Sequence, residues 1–104
     1  MTKSKEEANE LLTTYSRFTN ITLYDIDKAQ RSLKDELDYV RMYLRLEKMR
    51  YGDKLLFSID MDRDVDDKIM IPNMVLHTFV ENAIKHGIRG KNSAGKVQIK
   101  IISE

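Results

Sequence analysis

The chain has 104 residues, with 18 Lys and Arg against 17 Asp and Glu and no Cys. This length allows one domain with a modest core, and a content of 41% hydrophobic and 34% charged residues excludes a membrane protein and a wholly disordered chain. The net charge of +1 is too small to attract the phosphate backbone of a nucleic acid, so we expect no nucleic-acid partner. The lack of Cys excludes disulfides, thiolate zinc sites and cysteine catalysis.

The first predicted element is a helix over residues 4–18. Glu6 and Glu7 fall in its first turn, where negative charge is favoured, and apolar residues follow at helical spacing. The next stretch, 19–27, is rich in β-branched residues, and we expect a loop there.

The second predicted helix runs from Leu33 to Tyr51. Ser32 precedes it as a cap, and Gly52 is the expected stop. Its apolar residues recur at steps of three, four and seven, a pattern typical of a helix that buries one face. They are Leu33, Leu37, Val40, Leu44 and Tyr51.

Alternation of apolar and polar residues, interrupted only at Leu56 and Ile102, predicts strands over 54–61 and 96–102. Between them an acidic turn covers 63–68, and Asn73 is a suitable cap for a helix that ends near His86, before Gly87. The order helix, helix, strand, helix, strand indicates an α+β fold. We expect helices packed on one face of a small, incomplete sheet, with a further helix preceding it.

The third predicted helix has two different faces. Leu76, Phe79, Val80, Ala83 and Ile84 form an apolar stripe that predicts a core contact. Glu81, Asn82, Lys85 and His86 form the polar face, and the last three are neighbours at i, i+3 and i+4. A carboxamide oxygen suits Mg²⁺, a Lys suits phosphate and a Glu can accept a proton. The same spacing also suits an ordinary solvated face.

Three segments resemble one family. The octamer VENAIKHG at 80–87 resembles the N-box of sensor histidine kinases, members of the GHKL ATPase superfamily. The helix at 33–51 and the Ile-Pro-x-Met-x-Leu segment at 71–76 resemble the LytS-like subfamily of these kinases, in which Gln often stands at the position of His77. Together the three segments span about residues 30–102 in the expected order.

The resemblance implies a partial GHKL-type fold that binds ATP with Mg²⁺. It implies that Asn82 ligates the Mg²⁺ bridging the ATP phosphates and that Glu81 is the catalytic acidic residue. Lys85 and His86 would approach the phosphates or the ribose. The basic residues that follow, Arg89, Lys91 and Lys96, either line the entrance or belong to a solvated loop.

The resemblance also implies partners and a location. A response regulator and a second copy of the chain are the expected partners, in the cytoplasm, with a membrane reached only through segments outside this sequence. Residues 1–28 correspond to the tail of a dimerisation helix and a linker, and 29–104 to the amino-terminal half of the ATPase domain.

Two departures from the family pattern qualify this expectation. The family carries its phosphoacceptor histidine upstream of the N-box, whereas the two histidines of this chain, His77 and His86, both lie in the N-box helix. No Asp-x-Gly or Gly-x-Gly motif follows the N-box in this sequence. We therefore expect a fragment of a histidine kinase that is inactive by itself. A non-catalytic dimeric interaction module with the same fold is the alternative.

Overall fold

The computed structural model describes residues 5–87 and 95–103. The helices are α1 (Lys5–Asp25), α2 (Leu33–Tyr51) and α3 (Val75–Gly87). The strands are β1 (Gln30–Ser32), β2 (Leu55–Met61), β3 (Met70–Pro72) and β4 (Gly95–Ile101), and a short 3-10 turn joins α2 to β2. The predicted α+β class is confirmed. Across the described ranges, no helix combines the length and apolar character that crossing a membrane requires.

Helix α1 is longer than the sequence predicted. The expected loop at 19–27 is wrong for most of its length, because α1 continues to Asp25. The Thr22 hydroxyl donates to the carbonyl oxygen of Phe18 (2.8 Å), and the Tyr39 hydroxyl on α2 donates to Thr22 Oγ1 (2.5 Å). Packing and hydrogen bonding against α2 therefore outweigh the weak helix propensity of the β-branched residues.

Both ends of α2 agree with the prediction. The Ser32 hydroxyl accepts the backbone N–H of Asp35 at 3.1 Å. Gly52 has a φ of 59°, which a glycine adopts without strain, and its N–H donates to the carbonyl oxygen of Lys48. The acidic turn also contributes to the start of α2, because the carbonyl oxygen of Asp67 accepts the N–H of Lys34 at 2.8 Å.

The strands form two separate two-stranded sheets. β2 and β4 run parallel, with Phe57 opposite Val97 and Ile59 opposite Ile99. β1 and β3, which the sequence did not predict, pair antiparallel, with Arg31 opposite Ile71. The alternation along β2 and β4 places one set of apolar side chains against the helices, as predicted.

The core lies where α2, α3 and the β2–β4 sheet meet. Its buried members are Val40, Tyr43, Leu44, Leu55, Val80, Ile84 and Val97. The predicted stripe on α3 was too wide. Phe79 is 70% exposed and Ala83 is also exposed, because α3 packs through Val80 and Ile84.

Candidate functional site

The amino terminus of α3 is held by a carboxylate from α2. Glu36 Oε2 accepts the backbone N–H of Leu76 at 2.8 Å and that of His77 at 3.2 Å. The Glu36 side chain is completely buried. A carboxylate at this end satisfies amides that have no partner within the helix and interacts favourably with the helix dipole. Glu36 thus fixes where α3 begins.

The charge of Glu36 is compensated by a buried arginine. Arg31 Nε donates to Glu36 Oε1 at 2.6 Å, and a second guanidinium nitrogen contacts the same oxygen. The guanidinium also lies 4.5 Å from the centre of the Tyr39 ring and donates to the sulfur of Met74. Two buried charges are tolerated here because they pair with each other and with the helix end.

The predicted cap of α3, Asn73, does not take that role. The helix begins at Val75, after Met74 with a φ of 65°, and its first amides bind Glu36. The backbone N–H of Asn73 donates to the carbonyl oxygen of Ala29 at 3.0 Å, so this residue ties β3 to the segment before β1. The correction reflects a long-range contact that local cap preferences do not contain.

Helix α3 displays all four predicted site residues. Glu81, Asn82, Lys85 and His86 are exposed on the helix that Glu36 positions. Asn82, Lys85 and His86 share one face through their spacing, and Glu81 lies beside Asn82. Their roles in binding or catalysis stay predictions. Of the predicted basic residues, Lys96 is exposed at the start of β4, and Arg89 and Lys91 lie outside the described residues.

The chemistry of this face fits Mg²⁺ with a phosphate ligand. Asn82 offers one neutral oxygen, and Mg²⁺ commonly takes few protein ligands when phosphates and water complete its shell. Lys85 places a positive charge one turn away. Within residues 5–87 and 95–103, no group of three or more His, Asp or Glu side chains is arranged to hold a metal without such a ligand.

A cavity of about 590 Å³ lies away from these residues. It separates α1 from the end of α2 and from β2, and Leu11, Leu46 and Phe57 line it. None of the four predicted site residues borders it. Glu81, Asn82, Lys85 and His86 are exposed, so the Asn82 face of α3 is open to solvent in the described part of the chain.

His77 is enclosed by three aromatic rings, which we call the aromatic cage: Phe18, Tyr39 and Tyr43. The ring centres lie 6.2, 5.2 and 4.6 Å from that of the imidazole, respectively. Phe18 stacks on Tyr39 with centres 4.5 Å apart. The cage joins α1 and α2 around a residue of α3, so all three helices meet at His77.

His77 and Tyr39 have pKa values that differ from their ordinary ones. Burial lowers the pKa of His77, and the nearby carboxylates of Glu81 and Glu36 oppose that effect. Burial raises the pKa of Tyr39, and its hydrogen bond with Thr22 opposes that effect. Both groups are therefore held in their neutral forms near pH 7.

Sequence reasoning missed the roles of Glu36 and Arg31, and it assigned no role to His77. One signal pointed to Glu36. It falls three residues after Leu33 and four before Val40, inside the apolar stripe of α2. A carboxylate on a buried face needs a partner of opposite charge or several donors, and both are present here.

Comparison with known proteins identifies the class. A family model for histidine kinases matches residues 1–55, more than half of the chain. The chain is 33% identical over 96 residues to the sensor histidine kinase YpdA of Escherichia coli (strain K12). It is 31% identical over 101 residues to the sensor histidine kinase/phosphatase LytS of Staphylococcus aureus (strain Mu50 / ATCC 700699).

The alignments cover 92% and 97% of this chain. The chain belongs to the histidine kinase family, and the resemblance to LytS-like sensor histidine kinases inferred from the three segments is confirmed. It spans only 17% of the length of either relative.

Proposed function

We propose that this chain is the segment of a sensor histidine kinase that carries the N-box and binds Mg-ATP for histidine autophosphorylation. One observation carries the proposal. Glu81, Asn82, Lys85 and His86 are exposed together on a helix whose start is fixed by buried Glu36. A rigid helix that presents an amide oxygen, a carboxylate and a cation meets the positioning requirement of phosphoryl transfer.

Each residue has a distinct role in this proposal. Asn82 holds Mg²⁺ through its carboxamide oxygen, and the ion, when bound, neutralises charge on the phosphates. Lys85 and His86 contact the phosphates or the ribose. Glu81 accepts the proton of the acceptor histidine, supplied by another segment, as its ring nitrogen attacks the γ-phosphorus and ADP leaves.

The phosphoryl group then passes to a response regulator, the partner that the class of protein implies. We place the segment in the cytoplasm, where ATP and response regulators are available. We also propose that two copies associate through α1. The exposed apolar residues of α1 support this association, because they form a hydrophobic surface that a second copy could cover. They are Leu12, Tyr15 and Leu23.

The test uses Asn82→Ala in the longer kinase that contains this segment. Autophosphorylation with radiolabelled ATP should fall at least about 100-fold, a loss that reflects a metal ligand acting in the transition state. Gln98→Ala, which removes an exposed carboxamide on β4, is the matched control and should keep normal activity. Near-normal activity of the Asn82 variant, with an unchanged circular dichroism spectrum, would refute the role.

The 104-residue chain by itself should bind Mg-ATP weakly and turn it over little, since Glu81, Asn82, Lys85 and His86 are all exposed on α3. Calorimetric titration measures this directly. Micromolar affinity would contradict the expectation.

A non-catalytic dimeric module is the second candidate, and the exposed apolar residues of α1 favour it. It predicts that the longer protein forms dimers but shows neither autophosphorylation nor nucleotide binding in a calorimetric titration, whatever residue stands at position 82.

A further inference from the structure

His77 leaves one polar atom without a partner. Its Nε2 is buried and makes no hydrogen bond within the part of the chain that the structure describes. Glu81 Oε2 lies 3.7 Å from this nitrogen, one helical turn further along α3. Such a separation is slightly longer than a hydrogen bond. An unsatisfied buried donor is costly, so the pair has a physical reason to close.

The two side chains differ in freedom. The imidazole is 15% exposed and is enclosed by the aromatic cage, and the Glu81 side chain is 54% exposed. A small rotation of the Glu81 side chain therefore closes the contact and leaves the ring in place. His77 is the fixed member of the pair, and Glu81 is the member that is oriented.

We propose that His77 is a positioning residue for Glu81, which it orients by donating a hydrogen bond from Nε2 to the carboxylate. This inference rests on the proposed function only in treating Glu81 as the proton acceptor. The hydrogen bond selects the neutral imidazole with its proton on Nε2 and directs one carboxylate oxygen, which leaves the other free to accept a proton. Protonation of the ring converts the contact into an ion pair and weakens Glu81 as a base.

The surroundings of His77 contain few other charges. Among the described residues, the charged groups acting on the imidazole are Glu81 on α3, Glu36 on α2 and Arg31 on β1. Glu36 and Arg31 neutralise each other in their buried pair. α2 also contributes the titratable hydroxyls of the cage tyrosines, and α1 contributes the uncharged ring of Phe18. Glu81 is therefore the unpaired charge that His77 responds to.

The first experiment uses the 104-residue chain and needs no nucleotide. The His77 imidazole is titrated by NMR in the wild-type chain and in Glu81→Gln. Because the Glu81 carboxylate raises the pKa of His77 against the effect of burial, its removal should lower the midpoint further. Asp53→Asn removes an exposed carboxylate beyond the far end of α2 and should leave the midpoint unchanged. Equal midpoints in wild type and Glu81→Gln would overturn the inference.

The second experiment uses the longer kinase and separates positioning from packing. His77→Gln keeps a donor that can reach Glu81, and His77→Leu keeps the volume without a donor. We expect His77→Gln to retain kcat within about threefold and His77→Leu to lose about tenfold, with KM for ATP unchanged in both. The wild-type rate should also decline in acid through one ionisation that His77→Gln lacks. Equal losses in the two variants would show that His77 only packs.

The outcomes distinguish this inference from the proposed function. Full activity of Asn82→Ala would refute nucleotide binding by the N-box and would leave the NMR coupling of His77 with Glu81 intact. Loss of the coupling, with Asn82→Ala inactive, would refute only the positioning role.

Discussion

The carboxylate of Glu36 accepts the backbone N–H of Leu76, forty residues further along the chain, at 2.8 Å. This bond links the interior of α2 to the first turn of α3. The same helix carries Glu81 and Asn82 further along its length. Glu36 thus determines the position of the candidate site, although it is completely buried and is not part of that site.

Glu36→Ala should destabilise the fold by about 3–5 kcal/mol, because it leaves the Arg31 charge buried without its partner. Two amides of α3 also lose their acceptor. Urea unfolding followed by circular dichroism measures the loss. Asp38→Ala is the matched control on the same helix, since its ion pairs with Lys34 and Arg41 are exposed, and it should cost less than about 1 kcal/mol. Similar losses in the two variants would contradict a special role for Glu36.

Tyr39→Phe should reduce the free energy of unfolding by about 0.5–1.5 kcal/mol, the usual contribution of one hydrogen bond. The change removes the bond to Thr22 that joins α2 to α1 and retains the stacked ring. Tyr15→Phe removes a hydroxyl from an exposed tyrosine of α1 and should have no measurable effect. If both variants unfold at the same urea concentration, the Tyr39 hydroxyl does not hold α1.

Stability should fall in mild acid because of His77. Its pKa is lowered in the folded chain, so folding opposes protonation of this group. The stabilisation is present above the ordinary histidine pKa of about 6.5 and is lost as the pH falls through the lower, folded-state value. We expect His77→Gln to lose less stability than wild type between pH 7.5 and 5.5 in urea unfolding. His86→Gln, at an exposed position, should behave as wild type, and a reversed order of the two variants would contradict the assignment.

The exposed apolar residues of α1 predict self-association. The 12.2 kDa chain should have the mass of a dimer in light scattering, and Leu12→Glu combined with Leu23→Glu should make it monomeric. The control variant, Asn9→Glu with Asn20→Glu, adds the same charge at exposed polar positions of α1. This variant should remain dimeric. A monomeric wild-type chain would argue against this face as the contact.

Local sequence signals predicted a large part of this fold. Ser32 and Gly52 located both ends of α2, and the alternation through Phe57 and Val97 located β2 and β4. These features depend on neighbouring residues, whose spacing is visible in the sequence. The polar face of α3 around Asn82 was visible for the same reason. The domain boundary at residue 28 stays a prediction.

Contacts between distant segments account for what was missed. β1 and β3 have three residues each, too few for an alternation pattern, and they exist because Arg31 and Ile71 come together in the fold. The extension of α1 depends on Tyr39, and the start of α3 depends on Glu36. No pattern within a single element contains that information.

The parallel ladder of β2 and β4 has a kinetic consequence. Leu55 pairs with Gly95 and Met61 with Ile101, so each pair closes a loop of about forty residues. The entropy of that closure is lost before the ladder contributes any stabilisation, which makes its formation slow compared with helix growth. Truncation of Val97 should therefore slow refolding if the ladder forms in the rate-limiting step, and should mainly accelerate unfolding if it forms afterwards.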